Sequence, residues 1–84
     1  MRYRIRFTKR AAKDVKTLTG KLQTKLKEIL RNRIARAPYG GKPLVGELKG
    51  YYSVYLTFKD RIVYTAHNDE LVVVIIRAST HYGE

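Results

Sequence analysis

Three strand-like runs crowd residues 51–77, and the gaps between them leave little choice of fold. "YYSVYLT" (51–57), "RIVYTA" (61–66) and "ELVVVIIR" (70–77) are separated by three residues each. Connections that short join antiparallel neighbours, so the three runs form a meander. Tight turns are expected near Lys59-Asp60 and at His67-Asn68-Asp69. The third run is apolar on both faces, which suits a central place in the sheet.

The rest of the chain supplies one more strand and two helices. "RYRIRF" (2–7) alternates without error: Arg2, Arg4 and Arg6 point one way, Tyr3, Ile5 and Phe7 the other. Thr8 is placed to cap the helix that follows, on which Ala11, Ala12, Val15 and Leu18 fall at helical spacing. Thr19-Gly20 should stop it, with Gly20 in the left-handed conformation. A second helix is expected from about Lys21 to Arg36, with Leu22, Leu26, Ile29, Leu30 and Ile34 as its apolar stripe. So short a break implies an antiparallel helical hairpin. "APYGGKP" (37–43) reads as a turn. The expected class is α+β, one domain over residues 1–84, in the order β-α-α-β-β-β. The sheet is mainly antiparallel, with the helical hairpin on one face and the other face partly open.

Charge narrows the function. The chain holds 18 Lys and Arg against 7 Asp and Glu, and the whole excess of +11 lies on residues 1–37. Such a field attracts polyanions, nucleic acid above all. There are no cysteines, which excludes disulfides and thiolate metal sites and fits a reducing, cytoplasmic setting. "MRYRIRF" is charged at every second position and is no signal peptide. The longest apolar run, "LVVVII", is far short of the roughly 20 residues that cross a bilayer. A soluble intracellular protein without membrane contact is expected.

The pleat puts Val54, Leu56, Ile62 and Tyr64 under the helices and sends Ser53, Tyr55, Arg61 and Val63 to the open face. Arg77 is a further candidate there. His81 and Tyr82 follow just past the last strand, and the loop before the sheet adds Lys42 and Glu47. Singly, each has a plain structural reading. Arg61 and Arg77 suit solvated strand ends, His81 a terminal tail, the tyrosines a strand by propensity, and Glu47 a pairing with Lys49 or Lys42. Together they suit phosphodiester cleavage without a metal. That reaction needs a base for the 2′-hydroxyl, a cation for the phosphate and an acid for the leaving 5′ oxygen. Arginine grips phosphate with a planar fork, histidine titrates near neutrality, and tyrosine stacks on a splayed base. The acids of the C-terminal half are scattered at 47, 60, 69, 70 and 84, so no metal or other cofactor is expected.

Several motifs carry a resemblance. They are the opening "YRIRFTKRAAKD", "KPL" followed by "LKGYYS", "DRIVY" ahead of a Val/Ile-rich strand, and the closing "HY". With the element order, the chain resembles the RelE/ParE superfamily of bacterial toxin–antitoxin toxins, and its ending resembles the YoeB-like branch. The resemblance implies a bacterial, cytoplasmic toxin that enters the A site of the 70S ribosome. There it would cut messenger RNA by 2′-hydroxyl attack, leaving a 5′-hydroxyl, and a cognate antitoxin, expected to be acidic, would silence it. By position, Arg61 matches the arginine that stabilises the scissile phosphate. His81 matches the C-terminal position that is histidine in YoeB-like members, where it acts as general acid or aids charge neutralisation, and Tyr82 matches the tyrosine that completes their ending. Lys9, Arg10, Lys13 and Lys16 match the footing on ribosomal RNA. Where RelE-type members carry two lysines, this chain has Ser53 and Tyr55. Where YoeB-like members use a glutamate as base in the loop before that strand, the count falls near Lys42. Glu47, then His81, stand as candidates for the general base, with Lys42 as a phosphate contact. Two other readings share the fold: a ParE-like toxin that binds and poisons DNA gyrase without nuclease activity, and a plain nucleic-acid-binding domain.

Overall fold

The structure is a computed structural model and describes residues 2–78. The first strand, β1 (Arg4–Phe7), leads directly into helix α1 (Lys9–Thr17). Helix α2 (Gly20–Ile29) runs on into a π-helical turn, Leu30–Ile34. A short 3-10 turn, Pro38–Gly40, precedes the two-residue strand β2 (Lys42–Pro43), and another, Gly46–Leu48, precedes β3 (Tyr52–Tyr55). Strands β4 (Arg61–His67) and β5 (Val72–Arg77) follow.

Hydroxyl caps set both helix starts. Thr8 Oγ1 accepts from the Ala11 amide at 3.1 Å, as the sequence implied. Thr19 Oγ1 accepts from the Leu22 amide at 3.2 Å. That second cap overturns the expectation for Gly20. Leu18 and Thr19 are extended, and Gly20 is the first residue of α2 rather than a left-handed stop after α1. Gln23 ties the corner, its Nε2 donating to the Val15 carbonyl at 2.8 Å. At the far end of α2 the helix widens, the Ala35 amide reaching the Leu30 carbonyl at 2.8 Å.

The sheet has five strands in the order β1-β5-β4-β3-β2. The meander is antiparallel as expected, and β5 lies between β4 and β1. β1 pairs with β5 in parallel, because the helical pair carries the chain back before the meander begins. The turn-like "KP" turns out to be an edge strand. Lys42 faces Ser53 and Pro43 faces Tyr52, a position where proline is tolerated.

Val54, Ile62, Tyr64, Val73 and Ile75 form the sheet side of the core, packed against Ala11, Leu18, Leu26, Leu30 and Ile34. Burying side chains of this size contributes about 1.5–3 kcal/mol each, which fixes the phase of β3, β4 and β5. Tyr64 lies fully inside this layer, and its hydroxyl donates to the Pro38 carbonyl. Burial pushes that phenol up to about 12, against the pull of the Gly41 amide and Arg33. Gly41 must be glycine here, since a Cβ would stand 2.3 Å from the Tyr64 hydroxyl. Among the described residues, no helix is long and apolar enough to cross a membrane.

Candidate functional site

The β3–β4 hairpin builds the site. Tyr55 and Arg61 are direct cross-strand partners at its tip. The connection between them is held shut by the Leu56 amide on the Asp60 carbonyl at 2.8 Å and by Thr57 Oγ1, which accepts from the Asp60 amide at 2.9 Å. With the turn fixed, the Arg61 guanidinium donates to the Tyr55 hydroxyl at 2.9 Å and lies 4.8 Å from the centre of its ring. Tyr55 is 56 % exposed. The arginine therefore keeps its charge and fork at the surface, steadied by an aromatic face that is itself free to stack.

The other candidates divide. Lys42 is exposed on β2 opposite Ser53, two residues along β3 from Tyr55. Ser53 points away from the helices as the pleat requires but is only 5 % exposed. Glu47 is exposed on the 3-10 turn of the loop that joins β2 to the opposite end of β3. Three residues of strand, about 10 Å, separate that end from Tyr55. Lys9, Lys13 and Lys16 form one exposed stripe along α1 with Arg10 beside it. Because α1 covers the sheet from the helix side, those cations belong to a different surface from Arg61. His81 and Tyr82 lie outside the described residues. The remaining histidine, His67, ends β4 six residues from Arg61, about 20 Å away along the strand, with its Nε2 3.0 Å from Thr65 Oγ1.

Arg77 requires a correction. It continues the phase of Val73 and Ile75, so it faces the helices and not the open side. Its Nε donates to Asp14 Oδ2 at 2.7 Å and its Nη2 to Oδ1 at 3.4 Å. The Ala78 amide donates to the same Oδ2 at 3.1 Å. The cation counted as a phosphate ligand is bound to a carboxylate instead. Burial raises the pKa of Asp14, but the hydrogen bonds from Arg77 and Ala78 and the charges of Arg77 and Arg10 outweigh it, leaving the group below its ordinary value. Asp14 went unnoticed in the sequence, although it is one of only two acids in residues 1–37 and sits beside Ala11, Val15 and Leu18 on the buried side of α1.

Comparison with known proteins bears on the family and the fold. The sequence profile of the YoeB-like toxin of bacterial type II toxin–antitoxin systems matches residues 7–82. The chain is 40% identical over 57 residues to Toxin YoeB of Mycobacterium bovis, a match covering 63% of this chain and 65% of that protein. The chain thus spans about two-thirds, 65%, of the length of that curated relative. It superposes on the toxin–antitoxin complex RelBE2 from Mycobacterium tuberculosis with a TM-score of 0.86 at 29% identity, covering 100% of this chain and 95% of the other. The YoeB dimer from Staphylococcus aureus gives a TM-score of 0.80 at 30% identity over 98% of this chain and 100% of that one.

Proposed function

The chain belongs to the YoeB-like toxins of bacterial type II toxin–antitoxin systems, and from that premise we propose that it is a metal-independent endoribonuclease acting on messenger RNA in the ribosomal A site. The observation that carries the reading is the Tyr55–Arg61 pair, a surface guanidinium held over an exposed ring, with Lys42 opposite Ser53, two residues along β3 from Tyr55. In the reaction the 2′-oxygen attacks phosphorus, the bond to the 5′ oxygen breaks, and a cyclic phosphate and a 5′-hydroxyl result. Arg61 offsets the charge that builds on the phosphate. Tyr55 stacks on a base of the unpaired codon. His81, able to carry a proton either way near neutral pH, protonates the leaving oxygen with Tyr82 beside it in sequence. Glu47 is the first candidate for the base that takes the proton from the 2′-hydroxyl, with His81 the second, although the Glu47 loop leaves the sheet at the other end of β3. The α1 cations Lys9, Arg10, Lys13 and Lys16 form a separate footing on ribosomal RNA.

The protein that silences it is an antitoxin. A groove of about 370 Å³ between β1 and α2 has Tyr3, Ile5 and Phe7 along one wall and Arg2, Lys27 and Arg31 at its rim. An apolar floor with a basic rim suits an acidic, amphipathic segment. Cleavage on programmed ribosomes, run beside a gyrase supercoiling assay, tests the main reading. Arg61→Ala and His81→Ala should each slow cleavage about 100-fold or more with the fold retained. Supercoiling inhibited by a wild-type protein that cuts no messenger would replace the reading with the gyrase one.

A further inference from the structure

Two adjoining cavities open at the edge of the sheet where β2 begins. One, of about 250 Å³, lies against Tyr64; the other, of about 240 Å³, reaches Lys42, Ser53 and Tyr55. Both are lined by Arg33, Gly40, Gly41 and Val54. Together they form a cleft from the helical layer to the Tyr55–Arg61 surface. Its two cations come from distant parts of the chain. Arg33 projects from the π turn that closes α2, a kind of helical irregularity often found at functional sites. Lys42 comes from β2. Among the described residues, no carboxylate lines either cavity. The floor between the cations is bare backbone: a side chain at Gly40 would meet open space, whereas Gly41 is packed against Tyr64.

We propose that this cleft is a nucleotide subsite in which Arg33, with Lys42, binds the phosphate one linkage away from the one that is cut. The inference rests on the nuclease reading but adds a ligand that reading does not need. Lys42 stands opposite Ser53, and Tyr55 shares the cleft while holding Arg61. A strand of RNA stacked on Tyr55 with its scissile phosphate at Arg61 therefore runs towards the cleft. Two cations and no carboxylate among the described lining residues favour a phosphate there over a neutral group. Gly40, where a Cβ would meet nothing, leaves room for the sugar–phosphate backbone to approach the protein main chain. Arg33 is a binding residue in this scheme and takes no part in proton transfer.

The test uses the full chain, with Arg33→Gln, Arg33→Lys and Lys42→Gln. Messengers carry a single uncharged methylphosphonate at either linkage flanking the cut, and cleavage is followed at single turnover on programmed ribosomes. Arg33→Gln should raise the half-saturating toxin concentration about tenfold at an unchanged maximal rate, and Arg33→Lys should recover part of the loss. At one flanking linkage the methylphosphonate should cost the wild type a similar factor but cost Arg33→Gln less than about twofold, because the contact is already gone. Equal costs in both proteins at both linkages overturn the proposal. A second measurement stands apart from catalysis: the free protein is titrated with an uncleavable 2′-O-methyl trinucleotide and followed by nuclear magnetic resonance. Shifts at the Gly40, Gly41 and Lys42 amides that vanish in Arg33→Gln support the subsite. Their absence in the wild type overturns it. Such shifts in a protein that cuts no messenger would sink the nuclease reading and leave the subsite standing.

Discussion

Removing the Asp14 carboxylate should destabilise the fold more than any single surface change. The group is 8 % exposed and accepts from Arg77 Nε, Arg77 Nη2 and the Ala78 amide. Hydrogen bonds to a charged group contribute about 1.5–3 kcal/mol, but bonds to one carboxylate do not add. The Arg77 side chain is also 24% exposed, so water takes up part of what is lost. Asp14→Ala should therefore cost about 2–4 kcal/mol, from a total that for a chain of this length is roughly 4–13 kcal/mol. That corresponds to a fall in melting temperature of about 10–20 °C. Asp14→Asn, which keeps an acceptor for the Ala78 amide, should cost about half as much. Arg77→Gln should lose a comparable amount, with the double variant showing a coupling of about 1–2 kcal/mol in urea unfolding. The acid limb gives an independent reading. Asp14 has a folded pKa below its ordinary value of 3.8, so its contribution is complete above that value and is lost as pH falls through the depressed one. Below about pH 4 the wild type should lose stability more steeply than Asp14→Asn. An Asp14→Ala midpoint within about 0.5 kcal/mol of wild type, or superimposable acid limbs, would refute the reasoning.

Packing elsewhere in the molecule fixes other outcomes. Gly41→Ala should lower the urea midpoint by the equivalent of about 2–3 kcal/mol, because its Cβ would meet the Tyr64 hydroxyl at 2.3 Å and the Ser53 carbonyl at 3.2 Å. Adding Tyr64→Phe to that variant should restore part of the loss, whereas an unchanged midpoint would place the strain elsewhere. In a spectrophotometric titration one phenol should ionise near pH 12, and Tyr64→Phe should abolish that step. Its folded pKa is raised above 10.0, so its contribution to stability is complete below pH 10 and is lost as pH rises towards 12. Tyr55→Phe keeps the ring beneath Arg61 and removes only the hydroxyl acceptor, so it should slow messenger cleavage by less than about fivefold, against about 100-fold for Arg61→Ala. Equal losses would make the hydroxyl, and not the guanidinium, the group that matters.

Much of the architecture was legible because it repeats at short range. The pleat assigned Val54, Leu56, Ile62 and Tyr64 to the buried side, and all four are buried there. Thr8 announced α1 because a hydroxyl followed by amphipathic spacing has one cheap use. Thr19-Gly20 was ambiguous in a way the letters do not resolve. Glycine after a helix and glycine opening the next one look alike until Thr19 Oγ1 is seen on the Leu22 amide. β2 has two residues and a proline, too little for any period to register.

The site was legible in proportion to how local its parts are. Tyr55 and Arg61 face each other because a short hairpin joins them, so the sequence alone could pair them. Arg77 was misplaced because the chemistry of a cationic site outweighed the pleat, although Val73 and Ile75 already gave its side. Its partner lies 63 residues back, on a helix whose other charges are basic, and the signal was there: a lone carboxylate on an apolar stripe needs a cation. Arg33 had no such signal. It is one exposed arginine among several on a basic helix, and only the packing of the π turn against the Gly40-Gly41 edge sets it apart. The net charge of +11 raised the expectation of a polyanionic partner, but long-range packing decides which charges stand near Arg61 and which hold the fold together.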